Sequence, residues 1–202
     1  MDTLAATLPE AIEGAAQQLK DARDGRDQWA PRYPSPTHPP PGPGVFGVVG
    51  RLVRVSDRRV GRVLAWQLGP RIGTVLCTSR NDVDLRRVGL VLPKNHLRPC
   101  PQRRPWWSRA EFPTARFALD EICIASPSED VLRRYHLPAL LGPTIIVDTL
   151  DEAGRLRERM AASRDVPLSN ILSLDGHKVS ASGLMGRRNA MPDDYNSTLG
   201  SR

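Results

Sequence analysis

The 202-residue sequence lacks the features that would quickly assign it to several classes of protein. No apolar run approaches the roughly 18 residues of a membrane-spanning helix, and no basic and then apolar signal segment opens the chain. We therefore expect neither a membrane protein nor a secreted one. The three cysteines are far apart and never in C-x-x-C spacing, and the four histidines are equally dispersed. The sequence predicts no disulfide framework, no metal site and no cofactor.

The common motifs of enzyme active sites are missing or misplaced. Neither a G-x-x-x-x-G-K-[ST] phosphate loop nor a G-x-S-x-G elbow occurs. Residues 42–47 match G-x-G-x-x-G, but a proline run precedes them and a predicted strand follows, whereas a dinucleotide fingerprint follows a strand and opens a helix. Asp148 ends a predicted buried strand, where α/β enzymes often carry catalytic groups, although a helix-capping role explains it more simply. We expect a protein that is not an enzyme.

Lysine is also scarce, and arginine supplies nearly all of the positive charge. Only three of the 29 basic side chains are lysines. Residues 31–110 carry 15 basic and three acidic side chains, a local charge of +12, whereas residues 1–30 and 111–202 carry −3 and −2. Because arginine binds phosphate as a planar fork and stacks on bases, this middle segment predicts a polyanionic partner, DNA or RNA.

Two clusters carry this predicted nucleic-acid site. The first contains Arg51, Arg54, Arg58, Arg59 and Arg62. The second interleaves aromatic residues and contains Arg103, Arg104, Trp106, Trp107 and Arg109. Arginines neutralise phosphates while indole faces stack on unpaired bases. The simpler interpretation is that the arginines are solvated and the tryptophans anchor a loop on the core.

The chain divides into four predicted parts. Within residues 1–30, apolar side chains at helical spacing predict an amphipathic helix, which would fit the end of a coiled coil or a helix packed on its own domain. Residues 31–43 predict a proline-rich linker. Residues 44–189 predict a globular domain, and residues 190–202 a flexible tail.

Alternating strands and helices in the globular domain predict an α/β fold. The predicted strands are residues 45–55, 72–78, 117–124, 144–147 and 168–174. The predicted helices are residues 58–68 and two segments that follow S/T-x-x-E capping boxes at residues 126–129 and 149–152.

Three segments together resemble the hinge domain of structural maintenance of chromosomes (SMC) proteins. The closest resemblance is to SMC flexible hinge domain-containing proteins and their plant relatives in gene silencing and DNA repair. The segments are residues 41–69, 140–157 and 174–186. Arg187 departs from the pattern, since the family usually has a second glycine after Gly186.

The resemblance implies an SMC-hinge-like α/β fold of two pseudo-related strand–helix subdomains. It also implies a homodimer or paralogous heterodimer, nucleic-acid binding without enzymatic activity, and a nuclear, chromatin-associated protein. The implied dimer interface comprises Gly176, Gly183, Leu184, Met185 and Gly186. A second hypothesis stays open, in which Asp148 and the loops of residues 176–186 form the site of an α/β enzyme or small-ligand-binding domain.

Overall fold

A computed structural model describes residues 43–83, 90–101, 104–124, 126–163, 166, 168–182, 189–192, 195 and 199–201. The predicted helix within residues 1–30 and all of the predicted linker except Pro43 lie outside these ranges. Within them, no helix is long and apolar enough to cross a membrane.

Strands and helices are interleaved along both halves. The first half contains β1 (Val45–Val48), α1 (Val49–Leu52), β2 (Val53–Val55), α2 (Arg58–Leu68), β3 (Val75–Cys77) and β4 (Val91–Pro93). The second half contains β5 (Arg116–Phe117), β6 (Ile122–Ile124), α3 (Glu129–Val131), α4 (Leu137–Leu141), β7 (Ile145–Val147), α5 (Leu150–Ala162), β8 (Ile171–Ser173), β9 (Lys178–Val179) and β10 (Gly200–Ser201). A π-helical turn, Leu132–His136, joins α3 to α4.

The two halves repeat one strand order, so the predicted pair of pseudo-related subdomains is confirmed. In the first half β1 is antiparallel to β3, and β3 is parallel to β4. In the second half β5 is antiparallel to β7, and β7 is parallel to β8. The strands that follow β1 and β5, namely β2 and β6, pair antiparallel with each other and join the halves.

A large apolar core lies between the helices and the joining sheet. The predicted helix of residues 58–68 is observed as α2, which buries Val60, Leu64 and Leu68 at intervals of four residues. Complete burial of an aliphatic side chain contributes about 1.5–3 kcal/mol, so this face holds α2 on the core. A positive φ of 50° at Gly69 then ends the helix, as the Gly-Pro sequence predicts.

The prediction of one strand over residues 45–55 is wrong, because the helical turn α1 divides it into β1 and β2. The Val49 N–H donates to the Thr74 carbonyl at 3.0 Å. Gly50 lies so close to Ile72 that a Cβ atom there would be 2.6 Å from the Ile72 Cγ2. This close contact turns the chain from the sheet of β1 into the joining sheet, a tertiary effect that alternation of residue types does not report.

The prediction of one strand over residues 117–124 is wrong for a similar reason. A turn separates β5 from β6, and the Asp120 N–H donates to the Phe117 carbonyl at 3.0 Å. The Arg133 guanidinium holds this turn by donating to the carbonyls of Leu119 and Ile122, both at 2.9 Å. A side chain distant in sequence thus stabilises the break.

The predicted strands of residues 72–78, 144–147 and 168–174 are observed as β3, β7 and β8, shortened at their ends. Strand β3 begins only at Val75 because Gly69–Gly73 forms a 3-10 turn. All residues of the three strands are buried, as continuous apolar runs predict.

One capping box is wrong and the other is half formed. Ser126 does not cap a helix, because its hydroxyl accepts from the Ser128 N–H (3.2 Å) and the helix begins only at Glu129. Thr149 does cap α5 by accepting from the Glu152 N–H at 3.2 Å. The Glu152 carboxylate does not return to Thr149 but accepts from the backbone N–H and hydroxyl of Thr114.

The prediction of a flexible tail over residues 190–202 is wrong for the part that the structure describes. Strand β10 pairs parallel with β2. Leu199 is buried, and its N–H donates to the Gly61 carbonyl at 3.2 Å. The Arg62 Nε donates to the Tyr195 carbonyl at 2.8 Å. The apolar Leu199 side chain is buried against the first half of the domain, which holds β10 beside β2.

Candidate dimer edge and nucleic-acid interface

The turn between β8 and β9 carries Gly176, the predicted dimer-interface residue that the structure describes. Gly176 is buried and has a φ of +91°, which a side chain would strain. A Cβ atom there would lie 3.2 Å from the Met191 Cε. Three-residue hairpin loops commonly place glycine in this left-handed position. The positive φ and the contact with Met191 make this a tight turn with close backbone approach.

Asp175 fixes this turn to the start of α5. Its carboxylate accepts from the Leu150 N–H at 2.9 Å, from the Ser173 hydroxyl and from the His177 Nδ1 at 3.3 Å. Partial burial alone would raise the pKa of Asp175, but the hydrogen bonds from Ser173, Leu150 and His177 outweigh it and lower the pKa below the ordinary value. The negative charge also lies at the positive end of the α5 dipole.

Strand β9 is the outermost strand of the sheet β5-β7-β8-β9. Next to the turn, His177 forms an isolated bridge with Ala190, and the Met191 N–H donates to the Gly176 carbonyl at 2.7 Å. Beyond that bridge, no further strand pairs with β9 within the described ranges. The chain then continues toward the other predicted interface residues, Gly183, Leu184, Met185 and Gly186, which lie outside the described residues, so their role stays a prediction.

The structure brings the first arginine cluster together around β2 and the start of α2. Arg51 lies in α1, Arg54 is the central, outward-facing residue of β2, and both are exposed. Neither has an acidic partner among the residues described. Arg54 lies opposite Cys123 in the joining sheet. These two cations are therefore available to an anion in solution.

The other members of the first cluster have internal partners. Arg58 and Arg59 are exposed in the first turn of α2. Arg59 pairs with Asp57 at 3.3 Å, and the Asp57 carboxylate caps α2 by accepting from the Arg59 N–H at 2.7 Å. Arg62 is half-buried and binds the tail through the Tyr195 carbonyl. The cluster thus combines two open cations with Arg59 and Arg62, which also serve the fold.

The second cluster does not form the predicted stacking platform at Trp107. This indole is only 7% exposed, packs on Phe117 with ring centroids 4.9 Å apart, and donates from Nε1 to the Ala115 carbonyl at 3.3 Å. Trp106 is half-buried with its ring edge-on to Trp107 at 5.4 Å. The burial corrects the base-stacking prediction for Trp107, whose apolar surface anchors the loop on the core.

The arginines of the second cluster are placed differently from its tryptophans. Arg104 and Arg109 are exposed, and Arg103 lies outside the described residues. The loop therefore directs its aromatic side chains inward and these two charged side chains outward, as the simpler interpretation expects.

Asp148 lies at the carboxyl end of β7, but it is engaged with Arg116. The Arg116 guanidinium contacts the Asp148 carboxylate at 3.3 Å and that of Glu121 at 3.1 Å. The Asp148 N–H donates to the Thr114 hydroxyl at 2.9 Å. The helix cap is Thr149 rather than Asp148, so the capping interpretation of Asp148 is wrong. Among the described residues, no group of three or more His, Cys, Asp or Glu side chains could hold a metal ion.

The sequence reasoning missed a further basic group in the first half. Lys94 follows β4, Arg98 lies in the segment after it, and Arg134 lies in the π-helical turn. The signal was available, because residues 90–101 contain Lys94, His96 and Arg98 with no acidic residue. Arg134 joins this group because the Cys100 N–H donates to the Arg134 carbonyl. This hydrogen bond depends on the fold and could not be inferred from spacing along the chain.

No protein-family model and no curated protein matches the sequence. Solved structures do match it. The SMC hinge domain of Geobacillus stearothermophilus, solved as an asymmetric dimer, is 20% identical with a TM-score of 0.61, and the match covers 91% of this chain and 80% of that one. The Pyrococcus furiosus Smc hinge domain with an extended coiled coil is 18% identical with a TM-score of 0.51, covering 93% and 66%.

A structure of the folded elbow of cohesin matches as well, at 18% identity and a TM-score of 0.53, covering 75% of this chain and 20% of that one. At these low identities, it is the TM-scores that show a shared fold. The repeated strand order, the joining sheet and the coverage of most of the chain agree with the resemblance carried by the three sequence segments. The chain therefore has the fold of the SMC hinge domain.

Proposed function

We propose that this chain is a non-enzymatic dimerisation hinge that binds nucleic acid and acts on chromatin in the nucleus, in chromosome organisation, gene silencing or DNA repair. The observation that carries the proposal is the position of β9, an outermost strand beside an anchored turn that leads toward the glycines of residues 183–186. The Geobacillus stearothermophilus hinge with this fold is a dimer. Homodimer and paralogous heterodimer are both compatible with such an edge.

The dimer part of the proposal follows from the chemistry of strand edges. An outermost strand presents backbone N–H and C=O groups that pair readily with a strand of another chain. Glycines favour such pairing because they let the second backbone approach closely. The Asp175 contacts hold the turn that precedes this edge, so the edge is presented in a fixed orientation.

The nucleic-acid part follows from charge. Arg51 and Arg54 are exposed cations without an acidic partner in the described ranges, within a segment of charge +12. Neutralising phosphates releases counterions, which makes such binding strongly dependent on salt. The engagement of Asp148 by Arg116 favours this binding function over the alternative of an enzyme centred on Asp148 and the loops of residues 176–186.

The dimer is tested by light scattering after size exclusion across a range of protein concentrations. Gly183→Val and Gly186→Val together place side chains on the proposed edge, and Ser182→Val is the matched control. The unsubstituted chain and the control are expected to be dimers, and the double variant a monomer. A strict monomer for the unsubstituted chain would refute the dimer, and a dimeric double variant would refute this edge as its interface.

Nucleic-acid binding is tested by fluorescence anisotropy with labelled DNA duplex and single strand. Arg51→Gln with Arg54→Gln removes the open cations, and Arg155→Gln with Arg159→Gln on α5 removes equal charge from the acidic half. Each lost phosphate contact lowers the slope of log K against log salt by about 0.9 on duplex DNA. The first variant should therefore lose about 1.8 from the slope, and the control should lose none. Absence of binding by the unsubstituted chain at low salt would refute this function.

A further inference from the structure

Two cations lie near one aromatic ring at a place that neither arginine cluster includes, and a third lies in an adjacent segment. The Lys94 Nζ lies 5.0 Å from the centroid of the Tyr135 ring, and the Arg134 Cζ lies 6.0 Å from it. Arg98, which is exposed, lies in the segment between Lys94 and Cys100. We name Lys94, Arg98, Arg134 and Tyr135 the Tyr135 patch.

Backbone hydrogen bonds fix the segments that carry these cations. The Leu97 N–H donates to the Lys94 carbonyl at 2.9 Å, which closes a 3-10 turn, and the Asn95 N–H donates to the Thr78 carbonyl at 3.1 Å. The Cys100 N–H donates to the Arg134 carbonyl at 2.9 Å. Because Cys100 is two residues from Arg98, this bond brings the Arg98 backbone close to the π-helical turn. The patch is therefore held by the fold.

The cations of the patch have no ion-pair partner among the described residues. Lys94 and Arg134 lie 5.0 and 6.0 Å from the same ring centroid, so the two charges are at most about 11 Å apart and their repulsion is only partly screened by salt, whose Debye length is about 10 Å at 0.1 M. In the described part of the chain, no carboxylate forms an ion pair with Lys94, Arg98 or Arg134. The electron-rich face of Tyr135 offsets part of this repulsion. An anion would relieve the remainder.

The position of the patch is one that ligands favour. Lys94 directly follows β4, and Thr78, which its neighbour Asn95 contacts, directly follows β3. Strands β3 and β4 are parallel, so both carboxyl ends meet at one edge of the sheet. In open α/β sheets, ligands commonly bind outside the carboxyl ends of the strands.

The half-buried ring favours contact with phosphate over contact with bases. A stacking platform needs an open aromatic face, whereas Tyr135 is partly buried and already has two cations within 6.0 Å of its centroid. The exposed groups of the patch are the cationic ends of Arg98 and Arg134. Their chemistry suits the sugar–phosphate backbone, without selection for base sequence.

We propose that the Tyr135 patch is a second phosphate-contacting site for nucleic acid, separate from the cluster of Arg51 and Arg54. This inference rests on the proposed nucleic-acid binding and adds a site to it. It assigns to Lys94, Arg98 and Arg134 the contact with the backbone, and to Tyr135 the positioning of Lys94 and Arg134.

The test is the affinity for a labelled, mixed-sequence DNA duplex measured between about 50 and 200 mM salt. Lys94→Gln with Arg134→Gln is compared with the α5 control, Arg155→Gln with Arg159→Gln. From counterion release, two lost contacts lower the affinity by about 30-fold at 0.15 M salt and the salt slope by about 1.8. Thermal unfolding checks that both variants fold. Arg98→Gln, a change at an exposed loop residue, should lower the slope by about 0.9.

The outcomes separate this site from the general function. If the Lys94 and Arg134 variant and Arg98→Gln bind like the control while the Arg51 and Arg54 variant is weakened, the second site is refuted and the proposed function stands. If the unsubstituted chain does not bind duplex or single-stranded DNA, the proposed function is refuted and the second site with it. Weakened binding with an unchanged salt slope would also overturn the site, because it would indicate a structural effect.

Discussion

Replacing Asp175 with Asn should loosen the turn that precedes the proposed dimer edge. The carboxylate joins the β8–β9 turn to α5 through the Leu150 N–H, the Ser173 hydroxyl and the exposed His177 ring. Asparagine keeps one acceptor oxygen but loses the charge, and its amide group cannot accept a hydrogen bond. Since Leu150 donates to one carboxylate oxygen and Ser173 and His177 donate to the other, the substitution removes at least one of the three contacts and weakens the rest, without creating a cavity.

The magnitude follows from the types of contact. Hydrogen bonds to a charged group contribute about 1.5–3 kcal/mol and neutral ones about 0.5–1.5 kcal/mol. The charge at the α5 N-terminus contributes a further 0.3–1 kcal/mol or so. Since the Asp175 side chain is 44% exposed, solvent screening places the expected loss at the lower end, about 1–2 kcal/mol of unfolding free energy.

The loss should depend on pH with a defined sign. The folded state lowers the pKa of Asp175 below its ordinary value of 3.8. Its carboxylate therefore stabilises the fold fully above that value, and the contribution disappears as the pH falls below 3.8 toward the folded pKa. The difference in unfolding free energy between the unsubstituted chain and Asp175→Asn should be constant near neutral pH and shrink in acid.

Urea unfolding at neutral and acid pH measures both quantities. Glu158→Gln is the control, because Glu158 is an exposed carboxylate of α5 outside the turn. If Asp175→Asn were no less stable than this control at neutral pH, the carboxylate would not anchor the turn. Light scattering on the same two variants without urea should show that the Asp175→Asn dimer dissociates at a higher protein concentration than the control dimer.

Two other predictions concern buried rings. Burial lowers the pKa of His136, although the nearby carbonyls of Cys77, Val131 and Leu92 raise it, so the unfolding free energy should fall as the pH drops below the ordinary value of 6.5. Urea unfolding should show this dependence in the exposed control His96→Gln and not in His136→Gln. Trp107→Ala should cost about 3–5 kcal/mol in thermal unfolding, as for other buried aromatic residues, and a cost below that of Trp106→Ala would contradict the anchoring role.

The sequence predicted what depends on local patterns. The apolar spacing and Gly-Pro ending of α2, the continuous apolar strand β7 and the Thr149 cap of α5 all require only neighbours along the chain. Each of these features is encoded within a few residues, so it does not depend on which distant residues pack against it.

What the sequence did not predict depends on distant residues. Residues 45–55 alternate like one strand, but contact of Gly50 with Ile72 divides them. Residues 117–124 are divided by a turn that the Arg133 guanidinium stabilises from the π-helical turn. In the candidate site, the adjacent tryptophans were compatible both with base stacking and with anchoring on the core, since composition cannot report which side of a loop is buried. The contact of Trp107 with Phe117 decides for anchoring.

The repeated topology gives the uneven charge of the chain a structural meaning. The carboxyl ends of β3 and β4 lead to Lys94 and its basic neighbours, whereas the equivalent ends of β7 and β8 lead to Asp148 and Asp175. Both acids are engaged internally, Asp148 with Arg116 and Asp175 with the α5 N-terminus, whereas Lys94 has no acidic partner among the residues described. Since the strand order is the same, shape does not distinguish the two edges. Charge does, and it leaves only the first-half edge suited to a polyanion, while the second-half edge uses its carboxylates to hold the turn of the proposed dimer interface.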